Sequence, residues 1–175
     1  SKWERNEEVF NILDNETGNN TEVTVACAVQ ALNIHYIPDF LKWKLEHGFK
    51  KINMWPFGAG GINYHFVYHP PHLNVKIFPL WFKEKVKQKY EEFYPWWEAN
   101  WEKGVPSWHK GKVTYDQWRT ASYGIDRLRG MVSFMKSEDW SQRLPEFREY
   151  ITKLDKLRGT DFCKTFPEMS GLLDE

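Results

Sequence analysis

Residues 23–57 confine this chain to few folds, because they read in order as a strand, a turn, a helix and a second strand. Val23, Thr24, Val25, Ala26, Cys27, Ala28 and Val29 are apolar or small at nearly every position, without alternation. That is the pattern of a strand covered on both faces, in a sheet flanked by helices. The helix at 38–47 has Pro38 in its first turn, where a missing N–H costs nothing, and Gly48 just past its end, where a left-handed residue is needed. Ile37, Phe40, Leu41 and Leu45 form a stripe that can lie on the sheet, leaving Lys42, Lys44 and Glu46 free to face water. One right-handed crossover then brings residues 51–57 alongside the first strand in parallel. Parallel α/β proteins handle ligands at the carboxyl ends of their strands, so Gln30, Asn33 and His35 fall where a ligand would sit.

The 175 residues suit one domain with a real core. We expect a single unit, 1–175, with an α/β sheet part at 1–79 and a helical part at 80–175. Lys plus Arg is 24 and Asp plus Glu is 24, so no net field steers the chain to nucleic acid or an anionic membrane, and neither is expected as a partner. No apolar run approaches the roughly 20 residues of a membrane span. Ser1, Lys2, Trp3, Glu4 and Arg5 lack the apolar core of a signal peptide. The expectation is a soluble, cytoplasmic protein. With only Cys27 and Cys163, neither a disulfide framework nor a cysteine-rich metal site is encoded. The sequons at Asn15 and Asn19 then read as a polar loop.

Before this unit, Trp3, Phe10 and Leu13 recur near helical spacing, and Gly18, Asn19 and Asn20 end the helix. A sheet with two confident strands has open edges, which points to strands on another chain or on a part of the protein absent here. After it, Gly58, Gly60 and Gly61 form a turn, and Ile62, Tyr64, Phe66 and Tyr68 alternate with Asn63, His65, Val67 and His69 as in a strand. A phosphate loop is disfavoured, because no Lys-Ser or Lys-Thr follows and no helix begins there. His65, His69 and His72 are the one plausible metal set; hydrogen-bonded strand and loop histidines are the simpler reading, since no carboxylate lies in the stretch.

The remainder reads as helix. Phe82, Val86, Tyr90 and Phe93 form one stripe, with Lys83, Lys85, Lys87 and Lys89 largely outside it, and Pro95 is expected to break or kink the helix. Thr114 to Gln117 is a capping box opening a helix whose core stripe is Trp118, Ala121, Ile125, Leu128, Val132 and Met135. A last helix near 145–158 buries Phe147, Ile151 and Leu154 and ends at Gly159. The chain has ten tryptophans, and those clustered at 96–108 either pack a domain together or stack on a ligand; the neutral charge favours packing over nucleobase binding.

The run Ala26-Cys27-Ala28-Val29-Gln30-Ala31-Leu32-Asn33-Ile34-His35-Tyr36-Ile37-Pro38-Asp39-Phe40-Leu41-Lys42-Trp43 resembles the fifth-strand region of twitch-containing radical S-adenosylmethionine proteins of tailed phages. His69-Pro70-Pro71-His72-Leu73-Asn74-Val75-Lys76-Ile77-Phe78-Pro79 is similar to that family's proline-bounded segment ahead of a helix. Gly130-Met131-Val132, Glu138-Asp139, Pro145-Glu146-Phe147, Leu154-Asp155-Lys156-Leu157-Arg158 and Phe166-Pro167-Glu168 resemble its carboxyl-terminal helices. The resemblance implies the second half of a partial (βα) barrel, in the host cytoplasm if phage-encoded. Its full-length parent would use S-adenosylmethionine and an iron–sulfur cluster held by a Cys-x-x-x-Cys-x-x-Cys loop. This sequence contains no such loop, so the expectation is a fragment or descendant without radical chemistry of its own, binding no cofactor alone.

No catalytic residue carries over. By position, Gln30, Asn33, His35, Trp55, Asn63 and His65 would face the ligand at the mouth of the barrel half; equally, they would satisfy strand-end backbone groups. Hydrolase motifs are absent: no Gly-x-Ser-x-Gly elbow, no His-Glu-x-x-His, and Cys27 reads as a small buried side chain. The rival expectation is a non-enzymatic binding or assembly module, meeting a peptide or protein partner, or a second copy of itself, through an aromatic surface.

Overall fold

A computed structural model describes residues 2–15, 25–48, 62–104, 111–112, 114–120 and 124–174. Its elements are α1 (Lys2–Asn15), β1 (Val25–Val29), α2 (Ile37–His47), β2 (Ile62–Phe66), α3 (Leu80–Asn100), α4 (Tyr115–Thr120), α5 (Ile125–Lys136), α6 (Leu144–Arg158) and α7 (Phe162–Thr165), with short 3-10 turns between several of them. The described chain is mostly helical around a small parallel sheet, coarser than the α/β half-barrel expected. Among the described residues no helix is long and apolar enough to cross a membrane.

The sheet is β1 beside β2, from Val25 opposite Ile62 to Val29 opposite Phe66. β2 is the segment whose alternation predicted a strand; the strand expected at 51–57 lies outside the described residues, as does Trp55. β1 departs from the expectation of cover on both faces, because Ala26 and Ala28 are exposed and Val29 alone among its described side chains is fully buried. Small side chains at those two positions leave space above the strand instead of filling it.

α2 ends as its sequence requires. Gly48 takes φ 71° and donates its N–H to the Leu45 carbonyl, a left-handed conformation that costs glycine nothing and a β-carbon roughly 1–2 kcal/mol. Ile37, Leu41 and Leu45 are buried, and so is Lys44, which overturns the reading of Lys44 as water-facing. Position 44 lies seven residues after 37, on the same side of a 3.6-residue helix, and a lysine stem can cover apolar surface there.

The core runs along α3, where Phe82, Val86, Tyr90, Phe93 and Trp97 are all buried and α5 packs alongside. Of the break or kink expected at Pro95, the break does not occur: α3 continues to Asn100. Lys83, expected outside the stripe, is buried and donates to the Glu138 carbonyl at 2.7 Å, while Lys76, also buried, pairs with the Glu138 carboxylate and lies 4.4 Å from the Phe134 ring centroid. Two buried ammonium groups thus close on one acidic loop residue, which answers the cost of burying a charge.

The capping box forms: the Thr114 N–H donates to Gln117 Oε1 at 2.9 Å and the Gln117 N–H to Thr114 Oγ1 at 3.3 Å. The expected helix is not continuous, since an extended Gly124 precedes α5. Trp118 and Ala121 of the expected stripe lie outside the described side chains, whereas Ile125, Leu128, Val132 and Met135 are buried in α5. α6 ends at Gly159, φ 61°, with Phe147 and Ile151 buried and Leu154 half-buried. Beyond it, α7 and a 3-10 turn at Pro167–Leu172 add Phe162, Met169 and Leu172 to the core.

Candidate functional site

A cleft of about 600 Å³ lies between β1, the turn that follows it and α2. β1 contributes its floor through Ala26, Cys27 and Ala28, and the turn that follows contributes Gln30 and Asn33. The wall is α2 with the turn ahead of it, through Tyr36, Asp39, Phe40 and Trp43. Tyr36, Phe40 and Trp43 stand at i, i+4 and i+7, which a helix places on one side, while Leu41, Lys44 and Leu45 occupy the other and Ile37, at the border, both is buried and lines the cleft. The helix therefore has an aliphatic face in the core and an aromatic face on the cleft. The Phe40 and Trp43 rings lie stacked, centroids 5.8 Å apart at 24°. From α1, Phe10 meets Trp43 edge-on at 5.8 Å, and Asn11 reaches His47 at 3.3 Å, so α1 braces the far end of the wall.

Asn33 holds the mouth together. Its Oδ1 accepts the Gln30 N–H at 2.9 Å, and its Nδ2 donates to the Ala28 carbonyl at 2.9 Å. This is the strand-end role, in which the side chain completes backbone groups that the sheet leaves over. A second asparagine does the same on the neighbouring strand: Asn74, fully buried, donates from Nδ2 to the Val67 carbonyl and accepts from the Lys76 N–H, both at 2.9 Å. The reading of candidate residues passed over Asn74, although asparagine before a short 3-10 turn is a usable signal. The Ala31 N–H donates to the Leu73 carbonyl at 2.8 Å, which seats the β1 turn on that same segment.

Charge enters the cleft at one place. Asp39 pairs with Lys89 of α3, and the Lys89 ammonium also lies 5.1 Å from the Tyr36 ring centroid. The Tyr36 hydroxyl donates to Glu168 Oε2 at 2.7 Å, and burial followed by that carboxylate pushes its pKa well above the ordinary phenol value. Lys85 donates to the Glu168 carbonyl at 2.7 Å, tying the carboxyl-terminal turn to the wall. Burial pushes the Cys27 thiol up to about 11, so it stays neutral and weakly nucleophilic at physiological pH.

The six candidate residues part company here. Gln30 and Asn33 meet in the cleft. His35 does not: it is 3% exposed and packs between Tyr36 and Phe82, with centroids 5.0 and 5.7 Å away. Its Nδ1 has no hydrogen-bond partner among the described residues, and burial, then the positive charges of Lys89 and Lys85, lower its pKa to about 4. It is a neutral core histidine. His65 stands exposed on β2 opposite Ala28, outside the cleft lining. Asn63 pairs through its backbone with Ala26, and its side chain, like Trp55, lies outside the described residues. Tyr36, Asp39, Phe40 and Trp43 were not singled out, yet their spacing along one helix was the signal that could have found them.

The histidine set does not assemble as a metal centre. Among the described residues no three His, Cys, Asp or Glu side chains gather closely enough to hold an ion. His72 instead faces Tyr150 at 5.0 Å. Of the tryptophan run, Trp97 is fully buried and stacks on Phe93 at 5.5 Å, so that residue belongs to the core; Trp108 lies outside the described residues. The chain matches no family model, no curated protein and no solved structure.

Proposed function

We propose that this chain is the ligand-handling, carboxyl-terminal half of a radical S-adenosylmethionine-like partial (βα) barrel, or its descendant, binding a small organic molecule without radical chemistry of its own. The supporting observation is one of position: the cleft runs along a parallel strand to the turn at its carboxyl end, and the strand's crossover helix forms its wall; α/β folds handle ligands at that end. Its volume of about 600 Å³ suits a drug-sized molecule.

The iron–sulfur cluster of such a parent does not fit this chain. Cys27 is half-buried in β1, Cys163 is exposed on α7, and the sequence has no third cysteine, whereas these clusters are held by several neighbouring thiolates. S-adenosylmethionine fits in size, and Tyr36, Phe40 and Trp43 would hold its flat ring. Titration calorimetry tests this: saturable heat with S-adenosylmethionine, lost in a Trp43→Ala variant, is expected, and no heat at millimolar ligand would count against it. Anaerobic reconstitution with iron and sulfide tests the other half; stoichiometric iron with a cluster absorption band would overturn it.

A binding or assembly module is the second reading, favoured by Tyr68, Leu80 and Trp81, which are large, apolar or aromatic, and about half or more exposed. Mass that rises with concentration in light scattering would support that role.

A further inference from the structure

We propose that the β1 cleft takes an alkylated ammonium headgroup of the trimethylammonium kind, enclosed by Tyr36, Phe40 and Trp43 with Asp39 as counter-charge. The inference rests on the reading of this cleft as a ligand site and adds the charge and shape of what enters it. Three aromatic rings beside one carboxylate is the composition that attracts a soft cation: the ring faces carry negative potential and the carboxylate adds a full charge. Among the described residues Asp39 is the one charged residue in the lining, and the Cys27 thiol and Tyr36 hydroxyl both stay neutral near pH 7.

The protein's own chain supplies a precedent. Lys89 brings an ammonium to this corner, paired with Asp39 and 5.1 Å from the Tyr36 ring. The Asp39 side chain remains 59% exposed in that pair. The Lys89 side chain is 25% exposed and meets Oδ2 of Asp39, so a ligand cation would share the carboxylate through Oδ1 beside the lysine, not replace it.

The lining also argues for alkylation. Ala26, Ala28, Ile37 and the rings offer few acceptors, so a bare ammonium would give up hydrogen bonds to water that the cleft cannot return. A quaternary ammonium has no N–H to satisfy and presents methyl groups to apolar walls. At the other end, the side-chain amide of Gln30 makes no hydrogen bond among the described residues, which leaves a donor and an acceptor for a polar tail.

The test is a calorimetric and NMR titration of the intact chain with choline and with 3,3-dimethylbutan-1-ol, its neutral isostere. Choline is expected to bind about tenfold tighter than the alcohol, as cation–π and carboxylate attraction together imply. Asp39→Asn should remove most of that preference, bringing the two probes to similar affinity, and Phe40→Leu should weaken choline; circular dichroism melts establish that both variants fold. Equal affinity for the two probes would overturn the cationic class while leaving a ligand cleft. Saturable heat with S-adenosylmethionine but none with choline would overturn the trimethylammonium headgroup while leaving a cation site, since S-adenosylmethionine carries a sulfonium. If no probe binds, the reading of the cleft as a ligand site fails together with this inference.

Discussion

Asn33 and His35 are two residues apart, yet their chemistry diverges. The Asn33 amide serves two backbone groups at the end of β1, so Asn33→Ala strands both. Loss of such bonds in a part-buried turn costs about 1–3 kcal/mol in all; Asn33→Asp, which keeps the acceptor and loses the donor, should cost less. Urea denaturation of the two variants checks the order. For His35, the folded-state pKa near 4 lies below the ordinary 6.5, so between these values the unfolded chain binds a proton that the folded chain refuses. Stability from this group is complete above pH 6.5 and falls as pH drops toward 4, with each unit of separation contributing about 1.4 kcal/mol. Glu168 and Glu138 carry carboxyls held below their usual value by hydrogen bonds to Tyr36 and Lys76 respectively, and they act only at more acidic pH. Denaturation midpoints measured from pH 7 to 4.5 should therefore decline less in His35→Phe than in the unaltered chain; parallel declines would mean that His35 is not the sensor.

Helix ends were readable and helix interiors less so, for a physical reason. Gly48, Gly159 and the Thr114–Gln117 box act within a few residues of backbone, so each forms where the sequence predicts it. Pro95 is decided by tertiary contacts instead: Phe93 and Trp97, buried on either side of it, keep α3 helical across a residue that disfavours helix. Pro95 itself is exposed, so Pro95→Ala restores a backbone donor without opening a cavity. Proline inside a helix costs about 3 kcal/mol relative to alanine; part of that is returned because proline also restrains the unfolded chain. A rise in Tm is expected, readable by calorimetry, and an unchanged Tm would mean that α3 already accommodates the missing bond. The cleft was half legible on the same logic. Strand-end position identified Gln30 and Asn33, but Phe40 was read with Ile37, Leu41 and Leu45 as one sheet-facing stripe, which hid the aromatic face it shares with Trp43. A helix with two apolar faces has two neighbours to satisfy, and periodicity applied to one face finds one of them.

At the scale of the whole molecule, both parts rest on pairings distant in sequence: β1 pairs with β2 from Val25 opposite Ile62, and α3 packs on α5. What separates them is cover. Ala26, Ala28 and His65 of the strand pair are exposed, whereas Val86 and Tyr90 of α3 are fully buried. Segments with few buried apolar contacts are the first to open under native conditions. Hydrogen exchange in mild denaturant should accordingly find the Val67 amide, bonded to the Val29 carbonyl, opening at lower free energy than the amides of Val86 and Tyr90 in α3; equal values would make the molecule one cooperative unit. In that order of events a bound molecule acts as a kinetic clasp, lengthening the lifetime of the strand pair far more than that of the helices behind it.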